Sequence, residues 1–286
     1  MNKQVLALVG NPNSNQNRKF LKELFTLLKN QSFTVLTDEF TSKVLSSPKS
    51  SIQDICSKAN IIFALGGDGT ILRIARNLKS NLTQVIGVDM GSLGFLSEIE
   101  PKNLLPNLDD LLSSNFYIDK RTLINVSLYR KQKKIFCSKA LNEVVLNQGI
   151  KARLLNLEIR SSKGFIHNFR SDGLIIATPT GSTGHSLSAS GSIVAPTIEA
   201  FLLTPICPIS LSNRPLILPD KDELSIKVLS ERDVECPLGL TVDGQLTTQL
   251  EKGDKLMVKK SKISLNLIRF KPLDFYSKLR DKLNWS

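Results

Sequence analysis

Apolar and polar positions follow two different periods along the first part of the chain. Short, nearly unbroken apolar runs recur at Val5 to Val9, Phe33 to Leu36, Ile61 to Leu65 and Val85 to Val88. Between them apolar residues return every three or four positions: Phe20, Leu21, Leu24, Phe25 and Leu28, then Ile52, Ile55, Cys56 and Ala59, then Ile71, Ala75 and Leu78. The runs predict strands buried on both faces, and the spaced residues predict amphipathic helices. Ser51 with Asp54 has the spacing of a helix start, Ser46 to Ser50 reads as loop, and Pro101 opens a helix with Leu104, Leu108, Leu111 and Leu112 on one face. Strands alternating with helices in this way form a parallel sheet covered by helices.

From about Tyr117 the pattern changes. Leu123 to Tyr129, Leu155 to Ile159 and Leu224 to Val228 partly alternate, turn residues separate the runs, and long helical periods are missing. This half is expected to be mostly antiparallel β. The last segment, Phe270 to Leu279, is helical in pattern and is expected to pack back on the first domain. The expected division is 1–118, an α/β domain, then 119–264, a β-rich domain, then 265–286, a returning C-terminal segment.

Composition excludes some classes. Of 286 residues, 41% are hydrophobic and 22% charged, which is ordinary for a globular chain. No apolar run approaches the roughly 20 residues that span a bilayer. The run near the N-terminus is too short for a secretory signal, so a cytoplasmic location is expected. The four cysteines have no C-x-x-C spacing and there are two histidines, which argues against a zinc site or a disulfide framework. Each cysteine is expected to be a small buried hydrophobe. The net charge of +12 and pI of about 9.6 favour anionic partners. The basic residues are scattered, and the cluster Arg130 to Lys134 reads as a solvated hairpin loop, so nucleic acid is a minority reading.

Candidate chemistry concentrates in two places. The run Ile61 to Leu65 ends in Gly66-Gly67-Asp68-Gly69-Thr70, with Arg73 on the helix behind. Strand, glycine turn and helix start together suit phosphate, because backbone N–H groups approach the ligand closely. Asp68 repels phosphate and so must serve otherwise, by taking a proton from a hydroxyl nucleophile or by holding Mg²⁺. The same residues also fit an ordinary surface turn with Asp68 as a helix cap. Met90 to Phe95 is a second glycine-bearing turn at the same end of the sheet, where ligands of parallel sheets bind, so both turns are candidates to line one crevice. The other place is Ser171 to Gly191, a strand running into hydroxyls and glycines. It suits ribose or phosphate, and equally a Ser/Thr-rich loop leading to a helix cap.

Gly66-Gly67-Asp68-Gly69-Thr70, Gly91 to Leu96, Asn142-Glu143, Thr178-Pro179-Thr180-Gly181-Ser182-Thr183 and Asp243-Gly244-Gln245, in this order, resemble the NAD kinase family over most of the chain. The resemblance implies a Rossmann-like α/β domain, a β-sandwich-like second domain, and a site in the cleft between them. It implies transfer of the γ-phosphoryl group of ATP, or of polyphosphate in some members, with Mg²⁺, to the 2′-hydroxyl of the adenosine ribose of NAD. It further implies NAD and ATP as partners and a homo-oligomer (dimer or tetramer); from composition, no membrane or nucleic-acid partner is expected. Asp68 then matches the general base, with Gly66, Gly67, Gly69 and Thr70 on the nucleotide and Arg73 near phosphate. Asn142 and Glu143 match the pair holding NAD, although a strand start with an exposed Glu gives the same letters. Arg153, Arg170 and Asp172 match further NAD contacts. Thr183, Gly184, His185, Ser186, Leu187 and Ser188 match the adenine side, and Gln245 a position near the nucleotide. No residue is assigned as a protein ligand to metal. Asp243 fits a plain Asp-Gly hairpin turn as well. The family commonly has Thr-Ala-Tyr where this chain has Thr183-Gly184-His185, replacing a stacking tyrosine by a smaller, ionisable ring. A lipid kinase would share the glycine turn, and a non-catalytic nucleotide sensor would share the binding residues.

Overall fold

A computed structural model describes residues 4–12, 14–31, 33–91, 94–149, 154–210, 212–229, 238–272 and 274–284. The chain divides into two compact units, Met1–Lys120 with Ile263–Ser286, and Arg121–Lys262.

The first unit opens with β1 (Val5–Gly10), α1 (Asn15–Asn30), β2 (Thr34–Thr37), α2 (Glu39–Leu45), α3 (Ile52–Lys58), β3 (Ile61–Leu65), α4 (Asp68–Asn77) and β4 (Gln84–Val88). The strands lie in the order β2-β1-β3-β4 and all pair in parallel. Alternation sorts their side chains. Leu6, Leu8, Ile61, Phe63, Leu65, Ile86 and Val88 join one core with Phe20, Leu21, Leu24 and Leu28 of α1. Ala7, Val9, Ile62, Ala64 and Val85, pointing the other way, are buried as well. Ser14 caps α1 by accepting from the Asn17 N–H at 3.1 Å, and Ser51 caps α3 in the same way at 3.0 Å.

Two helices depart from expectation. The period from Leu104 to Leu112 is one helix in the sequence but two in the structure, α5 (Pro101–Leu104) and α6 (Leu108–Leu112). Pro106 lies between them, and a proline removes an N–H and clashes with the preceding turn. α2 has no counterpart in the expected elements. Asp38 starts it by accepting from the Thr41 N–H at 3.0 Å, and Ser46 ends it in the left-handed conformation.

The second unit holds most of β5 (Tyr117–Arg130), then β6 (Lys133–Ala140), β7 (Glu143–Asn147), β8 (Leu155–Ser161), β9 (Gly164–Ser171), β10 (Gly173–Ala177), a 3₁₀ turn at Thr180–Thr183, α7 (His185–Ser188), β11 (Ala200–Ile206), β12 (Leu216–Pro219), β13 (Leu224–Val228), β14 (Leu238–Val242) and β15 (Leu246–Leu250). One antiparallel sheet runs β12-β11-β10-β7-β14-β15. Its inner residues Val144, Leu146, Leu174, Ile176, Phe201, Leu203 and Leu240 share a core with Leu157, Ile159, Leu224 and Ile226 of the facing layer. This is the two-layer β arrangement expected of that half. Arg130 to Lys134 is a hairpin turn, with Lys131 and Gln132 at positive φ. Cys56 is buried, but Cys137 and Cys207 are exposed, contrary to the expectation for each cysteine, because they stand on an outward strand position and after the end of β11. Cys236 lies outside the described residues.

β16 (Lys255–Arg269) leaves the second unit and enters the first, where Asn266 and Leu267 pair in parallel with Gln84 and Val85 of β4. α8 (Phe275–Leu283) follows, capped by Asp274. Lys278 donates to the carbonyls of Phe95 and Ser97, so the C-terminal segment does pack on the first unit. No helix among the described residues is long and apolar enough to cross a membrane.

Candidate active site

In the first unit the glycine turn sits where β3 meets α4. The Gly66 N–H bonds to the Val88 carbonyl at 3.0 Å, which holds the turn against the end of β4. Gly67 is the N-cap and Asp68 the first residue of α4. Gly67 and Gly69 are exposed and Asp68 is half-buried, so a ligand can reach the turn. The Asp68 carboxylate accepts from the N–H groups of Phe95 at 3.0 Å and Leu96 at 3.1 Å. It therefore does more than cap its own helix. An ionised carboxylate has about four acceptor positions, so each oxygen keeps capacity for a further donor. The two glycine turns meet through this contact, but only at the far end of the second one. Gly91 instead faces a separate cavity of about 630 Å³ lined by Asn17, Phe20, Asp89, Met90 and Pro101. Arg73 turns away to the buried Asp38, with its guanidinium 5.7 Å from the Phe40 ring centre.

In the second unit Asp243 organises the start of β7. Asp243 and Gly244 both have positive φ and form the β14–β15 hairpin turn, as Asp-Gly predicts. The Asp243 carboxylate also accepts from the N–H groups of Leu141 at 3.0 Å, Asn142 at 2.8 Å and Glu143 at 3.2 Å. Thr178 adds to this anchor: its hydroxyl donates to the Leu141 carbonyl at 2.5 Å, and its N–H donates to the Asn142 carbonyl at 2.9 Å. Gly181 then passes so close to Asn142 that a Cβ there would lie 2.7 Å from the Asn142 Cα. Asn142, Glu143, Gly181 and Gly184 are thus brought together.

Glu143 is 6% exposed, and its Oε2 has no hydrogen-bond partner. Burial, and then the Asp243 charge, push its pKa up to about 7. Its Oε2 faces Gly184. The expected alternative of an exposed Glu at a strand start does not hold.

The hydroxyl-rich stretch divides between structure and exposure. Ser182 bonds the Pro179 and Val194 carbonyls and the Val194 N–H, and Ser186 bonds Thr204 at 2.9 Å; both are buried. Thr183, Gly184 and Leu187 are half-buried, while His185 and Ser188 are exposed and line a cavity of about 460 Å³ with Pro205 to Pro208 and Arg214. Gln245 is exposed on the hairpin. Arg170 and Asp172 adjoin the wall of that cavity, since the Asp172 N–H donates to the Ile206 carbonyl at 2.9 Å and the Ile209 N–H to the Arg170 carbonyl at 3.1 Å, but they stand away from Asn142 and Glu143. They precede β10, whose other end carries Ala177 opposite Glu143, so a five-residue strand, about 17 Å, separates them from that pair. Arg153 lies outside the described residues.

Comparison with known proteins decides the family. The model of the ATP-NAD kinase N-terminal domain matches residues 6–116, and that of the ATP-NAD kinase C-terminal domain matches residues 141–270. The chain belongs to the NAD kinase family. It is 38% identical over 264 residues to an NAD kinase of Trichlorobacter lovleyi, with 92% of each chain covered. It is 34% identical to one of Aeromonas salmonicida, with 99% of this chain and 97% of the relative covered. Its fold matches yeast NADH kinase complexed with NADH at a TM-score of 0.88, with 30% identity, over 99% of this chain and 87% of the other. The fold also matches an NAD kinase from Archaeoglobus fulgidus in complex with ATP at a TM-score of 0.75, with 23% identity, over 98% of this chain and 99% of the other.

Reading the sequence missed the partners of the two aspartates. The N–H groups of Phe95 and Leu96 lie 27 and 28 positions from Asp68, and those under Asp243 lie 100 to 102 positions away. Backbone donors leave no mark in residue identity. The signal the sequence does carry is Gly94, a second glycine in the turn Met90 to Phe95, whose missing side chain leaves room for Asp68.

Proposed function

We propose that this protein transfers the γ-phosphoryl group of ATP to the 2′-hydroxyl of the adenosine ribose of NAD, giving NADP and ADP. The family, shared over nearly the whole chain, supports the reaction. The single observation that carries the chemistry is Asp68: a half-buried carboxylate at the first position of α4, immediately behind an exposed glycine turn. The α4 N-terminus favours the phosphate chain of the donor, and the glycines let it approach. A bond forms between the ribose O2′ and the γ-phosphorus, the bond from that phosphorus to the β–γ bridging oxygen breaks, and Asp68 takes the hydroxyl proton. A positioned base of this kind contributes about 10²- to 10⁴-fold.

Mg²⁺ belongs to this reading as a companion of ATP. No cluster of three or more metal-ligating side chains exists among the described residues, and Mg²⁺ is often held by one or two carboxylates plus substrate phosphates. Asp68 is kept as the base and not as a metal ligand, so the ATP phosphates would carry the ion. The bound metal would neutralise charge on the phosphates. NAD is proposed to rest on Asn142, Glu143, Thr183 to Ser188 and Gln245. Arg170 and Asp172 join only as contacts made at the far end of β10. We further propose a cytoplasmic enzyme that works as a dimer or tetramer.

The test is incubation of purified protein with NAD, ATP and Mg²⁺, reading NADP through a dehydrogenase specific for it. NADP is expected, and Asp68→Asn is expected to lower kcat by about 10²-fold or more while NAD still binds. Full activity in that variant rules out the base.

A further inference from the structure

Gly94 has a steric reason to be glycine: a Cβ there would overlap Asp68 Oδ1 and lie 2.7 Å from Oδ2. The carboxylate occupies the space of the missing methyl, and there it meets the N–H groups of Phe95 and Leu96.

The backbone on which it rests is held from the other side. Arg269, 1% exposed, donates to the carbonyls of Leu96 at 3.1 Å and Ser97 at 3.3 Å. Lys278 donates to those of Phe95 at 3.4 Å and Ser97 at 2.8 Å. The Glu98 N–H bonds to the Gly87 carbonyl at 2.8 Å. A methyl added at Gly94 therefore cannot push this turn away cheaply. The softer partner is the Asp68 side chain, which can rotate out at the loss of both N–H bonds.

We propose that Gly94 is a positioning residue for the phosphoryl transfer: its missing side chain seats the Asp68 carboxylate on the Phe95–Leu96 backbone and so fixes the base. This rests on the reading of Asp68 as the base. A reacting group misplaced by about 1 Å can lose about 10²-fold in rate, and clearing a methyl here needs a shift of that size. Gly94→Ala is expected to lower kcat by about 10²-fold, with the KM for NAD changed by less than about threefold.

A double-mutant cycle with Asp68→Ala tests the route. Alanine at 68 vacates the contested space, so adding Gly94→Ala in that background is expected to change neither kcat nor Tm further. Equal losses in both backgrounds overturn the proposal, as does a Gly94→Ala enzyme with normal kcat. Amide hydrogen exchange at Phe95 and Leu96 gives a second readout if Gly94→Ala does not fold. Asp68→Ala is expected to speed exchange at these two amides, and unchanged protection there overturns the seat. The base reading fails separately, through an Asp68→Ala enzyme that keeps full kcat.

Discussion

Glu143 is the residue where burial and charge conflict most openly. Its carboxyl is 6% exposed, its Oε2 has no partner, and Asp243 lies beside it. The folded protein therefore holds its proton up to about pH 7, against 4.5 ordinarily. The sign follows from linkage. Below about pH 4.5 both states are protonated and the contribution is fully present; as pH rises towards 7 the unfolded chain releases its proton first, and stability falls. Glu143→Gln keeps the shape and cannot ionise. Its Tm relative to the parent is expected to rise between about pH 5 and about pH 8. Parallel Tm curves over that range would show that Glu143 is ionised in the folded protein. The protonated form is also a hydrogen-bond donor, which an ionised carboxylate is not, and Gly184 beside it belongs to the segment proposed to hold NAD.

At the scale of elements, α2 shows what periodicity leaves out. It has seven residues, too short for a helical period to stand out from its surroundings. Its stability comes from Asp38, which is 2% exposed and accepts from Thr41 N–H, Thr41 Oγ1 and Arg73. Arg73, expected near phosphate, is drawn to this cap because a buried carboxylate needs a cation more than an exposed turn does. Asp38→Ala is expected to cost about 1–2 kcal/mol in chemical denaturation while sparing kcat. A kcat loss without a stability loss would return Arg73 to the phosphate. Elements with long periods or fixed turn chemistry were legible: α1, the buried strands β1, β3 and β4, and the Asp-Gly hairpin all follow from local pattern. The break between α5 and α6 was legible too, since Pro106 marks it, but the leucine period overrode the proline. What local pattern could not supply is contact at a distance, such as Gly94 against Asp68 or Asp243 under Asn142.

At the scale of the whole molecule, the first unit is made of two stretches of chain, ending at Lys120 and resuming at Ile263. The resumed stretch carries a buried cation that meets two carboxylates of the earlier one. Arg269 is 1% exposed and pairs with Glu98 at 2.8 Å and Asp119 at 3.0 Å, whose side chains are 14% and 11% exposed. Glu98 also accepts from the Phe270 N–H at 3.0 Å, and β16 pairs with β4 in parallel. Ending the chain after Lys262 removes the part of β16 that pairs with β4 and takes the Arg269 guanidinium away from two largely buried carboxylates. Breaking a buried pair costs about 3–5 kcal/mol, a large share of the roughly 5–15 kcal/mol that holds a domain together. Ending it after Pro272 keeps Arg269 and loses α8 with the Lys278 bonds. The two truncations are expected to separate clearly in limited proteolysis and thermal melting. The chain ending at Pro272 should melt cooperatively at a lower Tm. The chain ending at Lys262 should lose residues Met1 to Lys120 to protease while the β-rich unit persists. If the shorter chain instead keeps a protected first unit, Arg269 and β16 are decoration on a sheet that is stable without them.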